Sequence, residues 1–367
     1  MDDDKNSVDN FSFINDIRTQ PDFKGISFSK YKKTEVRKAF IENMLKGKIE
    51  PACNWCCELI CAGHFMEVWE IILYYMGKHI HLGNPKLVIY IEKRYDVFRT
   101  IMCQGHFTSE IQLRNNSIIR RLFAEVICIL TMSNKKHSFE PIKINRIEEF
   151  DMTQMTERLK APNVLFIEPI FKKEDPKELF ISINEFAYNV SCEKPNIISA
   201  CYWIEWIIEF DLMCKKRKES CVCEIRKNIN VEHKFKRDII WLIWDTLLHY
   251  SKDKGSFIEK TMVSLLNLFC IKYTTASCKK RKYLLYFAVG LLTEHFQTNN
   301  EIIPDKVILQ NVVDKIDQIY KQIKKNEESP NTDYLFSSLK DKQNTFEQSV
   351  KKMELLSSMD FIPRHDF

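Results

Sequence analysis

Apolar residues recur along this chain at helical spacing, with charged residues filling the faces between them. From Lys33, the positions Val36, Phe40 and Leu45 mark a first amphipathic helix, and Gly47 is placed to end it as a C′ glycine. Pro51 opens the next at N1, which carries Trp55, Leu59 and Ile60 and stops at Gly63. A third spans 65–78 with Trp69, Ile72, Leu73 and Met76 as its stripe. The short loops between these helices predict antiparallel neighbours. After a turn over 79–85, the pattern predicts helices at 86–102, where Gly105 breaks it, and at 117–132.

Residues 135–178 break the pattern with Pro141, Pro162, Pro169 and Pro176, and read as an irregular connector with a short strand at 164–167. Helical spacing returns at 177–191, 195–213, 235–251, 256–273 and 279–297. Pro304 opens a further helix, whose positions Leu309, Val312, Val313, Ile316, Ile319, Tyr320 and Ile323 form a clean apolar face. The expected fold class is all-α, with two helical-bundle lobes. The expected organisation is a flexible arm over 1–30, a helical lobe over 31–134 and a connector over 135–178. A second lobe over 179–325 follows, then 326–367 with a polar linker, a weak helix at 336–356 and a tail.

The lobes share a motif. Ala52-Cys53-Asn54-Trp55 with Leu59-Ile60 returns as Ala200-Cys201-Tyr202-Trp203 with Ile207-Ile208, and a second Trp-bearing helix follows each copy. Duplication of a helical hairpin and chance likeness between apolar helices both account for this.

Composition removes whole function classes. The eight glycines are Gly25, Gly47, Gly63, Gly77, Gly83, Gly105, Gly255 and Gly290. No P-loop, dinucleotide fingerprint or Gly-x-Ser-x-Gly elbow can be written with them. Net charge is +5, so any basic function must be local. The 13 cysteines sit in apolar runs, and no secretion signal precedes them. They are expected to be reduced core thiols in an intracellular, reducing compartment. Uncharged apolar stretches such as 283–293 fall well short of a membrane span, so no membrane partner is expected.

Three groups have the look of metal ligands. Cys53, Cys57, Cys61 and His64 share a helical face, but Cys53 and Cys61 would lie about 12 Å apart along the axis, too far to share one ion. Cys214, Cys221, Cys223 and His233 lie in a loop without the usual C-x2-C knuckle, and read either as free thiols or as a zinc site. His79 and His81 have no obvious carboxylate partner and read as a structural turn.

Two cation runs each follow a cysteine: Lys215-Lys216-Arg217-Lys218 after Cys214, and Lys279-Lys280-Arg281-Lys282 after Cys278. Such runs suit sequence-neutral contacts to phosphates, to which Arg120 and Arg121 could add. They also suit the C-terminal end of a helix dipole.

Residues 33–87 resemble a family. They include Lys46-Gly47-Lys48-Ile49-Glu50-Pro51-Ala52-Cys53-Asn54-Trp55, then 59–63, 69–75 and His81-Leu82-Gly83-Asn84-Pro85-Lys86-Leu87. The order is similar to the helical collar domain of clamp-loader-type AAA+ proteins. That family usually has an acidic residue before the turn's glycine, where this chain has His79 and His81. The resemblance implies subunit association rather than chemistry, with Trp55 and Trp69 making protein contacts. It comes without the ATPase module and hence without nucleotide. The Lys-, Ile-, Asn- and Phe-rich texture also resembles proteins of large nucleocytoplasmic DNA viruses, which implies host cytoplasm, nucleus or virion.

The expectation is a non-enzymatic assembly subunit linked to DNA replication or DNA handling. It would have protein partners and phosphate contacts and no cofactor. The alternatives are a virion-associated structural protein without a nucleic-acid role, and a cryptic metal-dependent enzyme.

Overall fold

A computed structural model describes residues 11–104, 110–146, 150, 156–227 and 229–328. The protein is all-α. Among the described residues the one departure is an isolated antiparallel bridge between Ile26 and Lys32. The first half contains α1 (Lys33–Leu45), α2 (Ile49–Cys61), α3 (Phe65–Tyr75), α4 (Lys86–Gln104) and α5 (Ser117–Met132). The second contains α6 (Phe180–Ser191), α7 (Ile197–Arg217), α8 (Ile240–Ser251), α9 (Ser256–Cys270), α10 (Thr275–Lys280), α11 (Lys282–Thr293) and α12 (Lys306–Lys324). The helix expected over 336–356 and the tail lie outside the described residues.

Local chemistry sets the helix ends. Asn116, Asn196 and Asp305 are N-caps whose side chains accept amide hydrogen bonds from Ile119, Ser199, and Val307 with Ile308. Gly47 and Gly63 follow α1 and α2 at φ 71° and 76°, a left-handed conformation that favours glycine. Pro51 is the third residue of α2 rather than the first. Its missing N–H still falls within the turn that has no intrahelical acceptor.

α2 packs against α1, α3 and α5, and α6 pairs with α7. Packing crosses the boundary expected between the lobes. α12 lies on α2 and α5, burying Ile316, Ile319, Tyr320 and Ile323. α4 lies against α9, and α11 packs on α6, α7, α8, α9 and the turn after α3. One apolar cluster therefore runs from Ile14 to Ile323. The repeated motif occupies unlike settings: Trp203 is buried, its counterpart Trp55 half-buried.

Two expectations need correction. Residues 11–30 are a packed segment, not a loose arm: Ile14, Phe23 and Phe28 are buried, and Glu58 accepts hydrogen bonds from Ser27 Oγ, Ser29 N and Ser29 Oγ. The segment is also tied to the start of the expected linker, where Asn15 N donates to Glu327 and Ile17 N to the Glu328 carbonyl. The strand expected at 164–167 is a run of bends and turns. There the backbone bonds to α6 side chains instead of a neighbouring strand. Asn184 accepts from Ile167 N and donates to the Asn163 carbonyl, while Glu185 accepts from the Lys160 and Ala161 amides.

The halves meet at an irregular turn. α3 continues into a π-helical turn at Met76–Ile80 and a 3₁₀ turn at His81–Gly83. Gly83 lies so close to the segment after α5 that a Cβ there would stand 2.6 Å from the Asn134 carbonyl oxygen and 2.8 Å from Lys136 N. Both obstacles are backbone, so Gly83→Ala should cost about 1–3 kcal/mol in urea unfolding. An unchanged midpoint would contradict that close approach. No helix among the described residues is long and apolar enough to cross a membrane.

Candidate nucleic-acid interface

The first cation run closes α7. Lys218, at φ 58°, takes the left-handed conformation that ends the helix, and Glu219 N donates to the Cys214 carbonyl. Lys215, Lys216, Arg217 and Lys218 are all exposed, and Lys215 pairs with Asp211 one turn back at 2.5 Å.

The second run splits between surface and interior. Thr274 and Ser277 form a capping box that starts α10, and the chain bends at Arg281 into α11. Lys279 and Lys280 are exposed. Arg281 is buried: it donates to the Phe269 carbonyl at 2.6 Å and pairs with Glu70 of α3. Lys282 pairs at 3.0 Å with Glu205, which also accepts from the Tyr286 hydroxyl. Arg281 and Lys282 thus hold α11 to its neighbours and are not free for phosphates.

The tertiary fold brings one cation of each run, Lys215 and Lys279, to the same stretch of surface. Glu209 of α7 reaches Lys279 at 3.8 Å and Arg146 at 2.5 Å. Asp211 and Leu212 line the same shallow cleft as Cys278 and Lys279. Lys216 lies seven residues beyond Glu209, about 10 Å along the axis. Glu209 and Asp211 thus link Lys215, Lys279 and Arg146, and the exposed Lys216, Arg217, Lys218 and Lys280 adjoin them in sequence. Arg121 is exposed, whereas Arg120 is fully buried inside the first half.

The tryptophans separate in the same way. Trp69 is 0% exposed, its ring against Tyr95, Phe98 and Phe123 at centroid distances of 5.1–5.7 Å, so it is core and reaches no partner. An apolar helical stripe looks the same in sequence whether it faces a core or a partner. Trp55 remains half-buried at the surface, edge-on to Tyr31, which is 50% exposed.

Among the described residues no three His, Cys, Asp or Glu side chains are grouped to hold a metal ion. Cys53, Cys57 and Cys61 are buried, and burial pushes their thiols up. His64 Nε2 is taken by the Phe23 and Ile26 carbonyls at 3.0 and 2.8 Å. His233 is exposed, and Cys223 Sγ donates to the Asp238 carbonyl at 3.1 Å. Burial pushes Cys221 and Cys223 up to about 12, leaving protonated thiols that are poor nucleophiles at neutral pH.

Sequence reasoning missed the polar groups that anchor this region. Arg226, in the loop after α7, makes a buried two-pronged pair with Asp175 at 2.6 Å and also bonds Asp245 at 3.0 Å. Burial would raise the Asp175 carboxyl, but the Arg226 hydrogen bonds and charge, together with hydrogen bonds from the Lys172 and Glu224 amides, outweigh it and hold the group below its ordinary value. Nothing in local spacing links positions 175 and 226. The chain matches no family model, no curated protein and no solved structure.

Proposed function

We propose that this chain is a non-enzymatic assembly protein linked to DNA handling, with sequence-neutral phosphate contacts on the face formed by the end of α7 and by α10. The observation that supports the reading is the approach of two cation runs, distant in sequence, through Lys215 and Lys279 at the cleft that Asp211 lines. Lys216, Arg217, Lys218 and Lys280 supply the exposed charge of these runs. The half-buried Trp55 and exposed Tyr31 are the matching candidates for a protein contact, and the likeness of residues 33–87 to a collar domain supports association over chemistry.

The test is DNA binding by fluorescence anisotropy across a salt series. Neutralising about four phosphates gives a slope near −3.6 in log affinity against log salt, so affinity should fall about 100-fold between 50 and 200 mM salt. Reversing two charges, with Lys216→Glu and Arg217→Glu, should shallow that slope by about two. Absence of binding at low salt would sink the DNA half of the reading.

A further inference from the structure

Outside that face, one pair of titratable side chains closes the junction between the halves. His79 lies in the π-helical turn and is 9% exposed, with its ring packed against Tyr74 and Tyr75. Its Nδ1 stands 3.0 Å from Nδ1 of His137, an exposed residue on the strap that follows α5. The strap is also bonded through its backbone: Lys136 N donates to the Ile80 carbonyl at 3.1 Å, and Ser138 N to the Lys78 carbonyl at 2.8 Å. Lys136 reaches on to Glu294 beyond α11 at 2.5 Å.

Two imidazole nitrogens at this separation need one proton between them. In the neutral pair one Nδ1–H donates and the other Nδ1 accepts. A first added proton is tolerated, because the charged ring still donates its Nδ1–H to the neutral one in a charge-assisted hydrogen bond. A second proton leaves two N–H groups pointing at each other. We propose that His79 and His137 form a proton-operated clasp that holds the strap over the π-helical turn and releases it once both rings are protonated.

The surroundings favour release. Lys78 on the turn and Lys135 on the strap add positive charge, and both disfavour a charged His79. Glu140 opposes them, but it is already paired with Lys78 at 2.8 Å. From α11 the facing groups are Tyr283, whose ring lies under the Lys78 ammonium, and Lys282. Burial first, and His137 second, depress His79 to about 4. Opening is therefore expected between about pH 5 and 4.

Amide hydrogen exchange from pH 6.5 to 4, corrected for the intrinsic rate, tests the clasp. The Lys136 and Ser138 amides should lose at least tenfold of their protection while amides of α5 keep theirs. His137→Asn retains a neutral donor for His79 Nδ1 and should keep the strap protected through pH 4. The side-chain ¹⁵N shift of His79 Nδ1 should change over the same range as the strap opens. Three results would overturn the clasp: unchanged protection at pH 4, simultaneous loss across α5, or an Asn variant with the wild-type profile.

Discussion

Replacing Arg120 by methionine will lower the unfolding free energy by about 3–5 kcal/mol, while Arg121→Met, one residue on, will change it by less than about 0.5 kcal/mol. The two arginines are indistinguishable in sequence. In the fold, Arg120 is fully buried and every face of its guanidinium is used. Nε donates to the Arg114 carbonyl at 2.8 Å, Nη1 to Ser12 Oγ and Asp317 at 3.1 and 2.7 Å, and Nη2 to the Ser12 carbonyl and Asn115 at 3.0 and 2.9 Å. The guanidinium also stacks 3.8 Å above the centre of the Tyr320 ring.

Methionine can fill the space of the stem, but it removes the donor from two carbonyl oxygens and three side-chain acceptors. Asp317 is 36% exposed, so its Coulomb attraction is partly screened. Most of the cost therefore comes from the unpaired buried acceptors. Since Arg120 joins the N-terminal segment and α12 to α5, the loss should loosen both ends of the described chain. Urea unfolding with the midpoint and slope both fitted decides the matter. A loss below 1 kcal/mol would mean that the network contributes little.

Acidification will destabilise the protein well before its carboxylates titrate. His81 is buried against Phe287, and burial lowers it from 6.5 to about 4; His79 falls equally far. The sign follows from proton binding. Between pH 6.5 and 4 the unfolded chain takes up protons at these positions and the folded chain does not. Stability is therefore complete above about pH 6.5 and declines as pH falls towards 4. Each group contributes about 3 kcal/mol across that window, a large share of the 5–15 kcal/mol typical of a folded domain. His81→Phe removes one of the two groups and should flatten the profile by about half. Its Nε2 has no hydrogen-bond partner, so the substitution gives up only the ring's bond to the Tyr286 backbone. A profile flat from pH 7 to 5 would show that these imidazoles are not held neutral by the fold.

Much of the fold was legible in the sequence because helices are written locally. The stripes around Val36 and Phe40, the stop glycines at 47 and 63, and the face from Leu309 to Ile323 are properties of residues a turn apart. The helices expected at 235–251 and 279–297 are shorter in the structure, Ile240–Ser251 and Lys282–Thr293, and the residues before each fold separately, as a 3₁₀ turn at His233–Phe235 and as α10. The connector was harder to read. Its amides are satisfied by Asn184 and Glu185, side chains that no local pattern links to residues 160–167.

The candidate interface was legible only as a list of cations. Nothing in the sequence separates Lys280, which is exposed, from Arg281, which is buried against Glu70. Trp55 and Trp69 diverge for the same reason, since a stripe shows that a residue is covered but not by what.

By itself, the sequence determined the helical class, the main helix boundaries that glycine and capping residues mark, and the exclusion of glycine-built nucleotide sites. Those depend on backbone propensities and spacings of three or four residues. Only the tertiary structure decided that α12 returns to the first half, that Lys215 and Lys279 come to one cleft, and that His79 meets His137. Those outcomes depend on contacts between distant residues, whose pairing is settled by the packing of the whole core rather than by any segment in it.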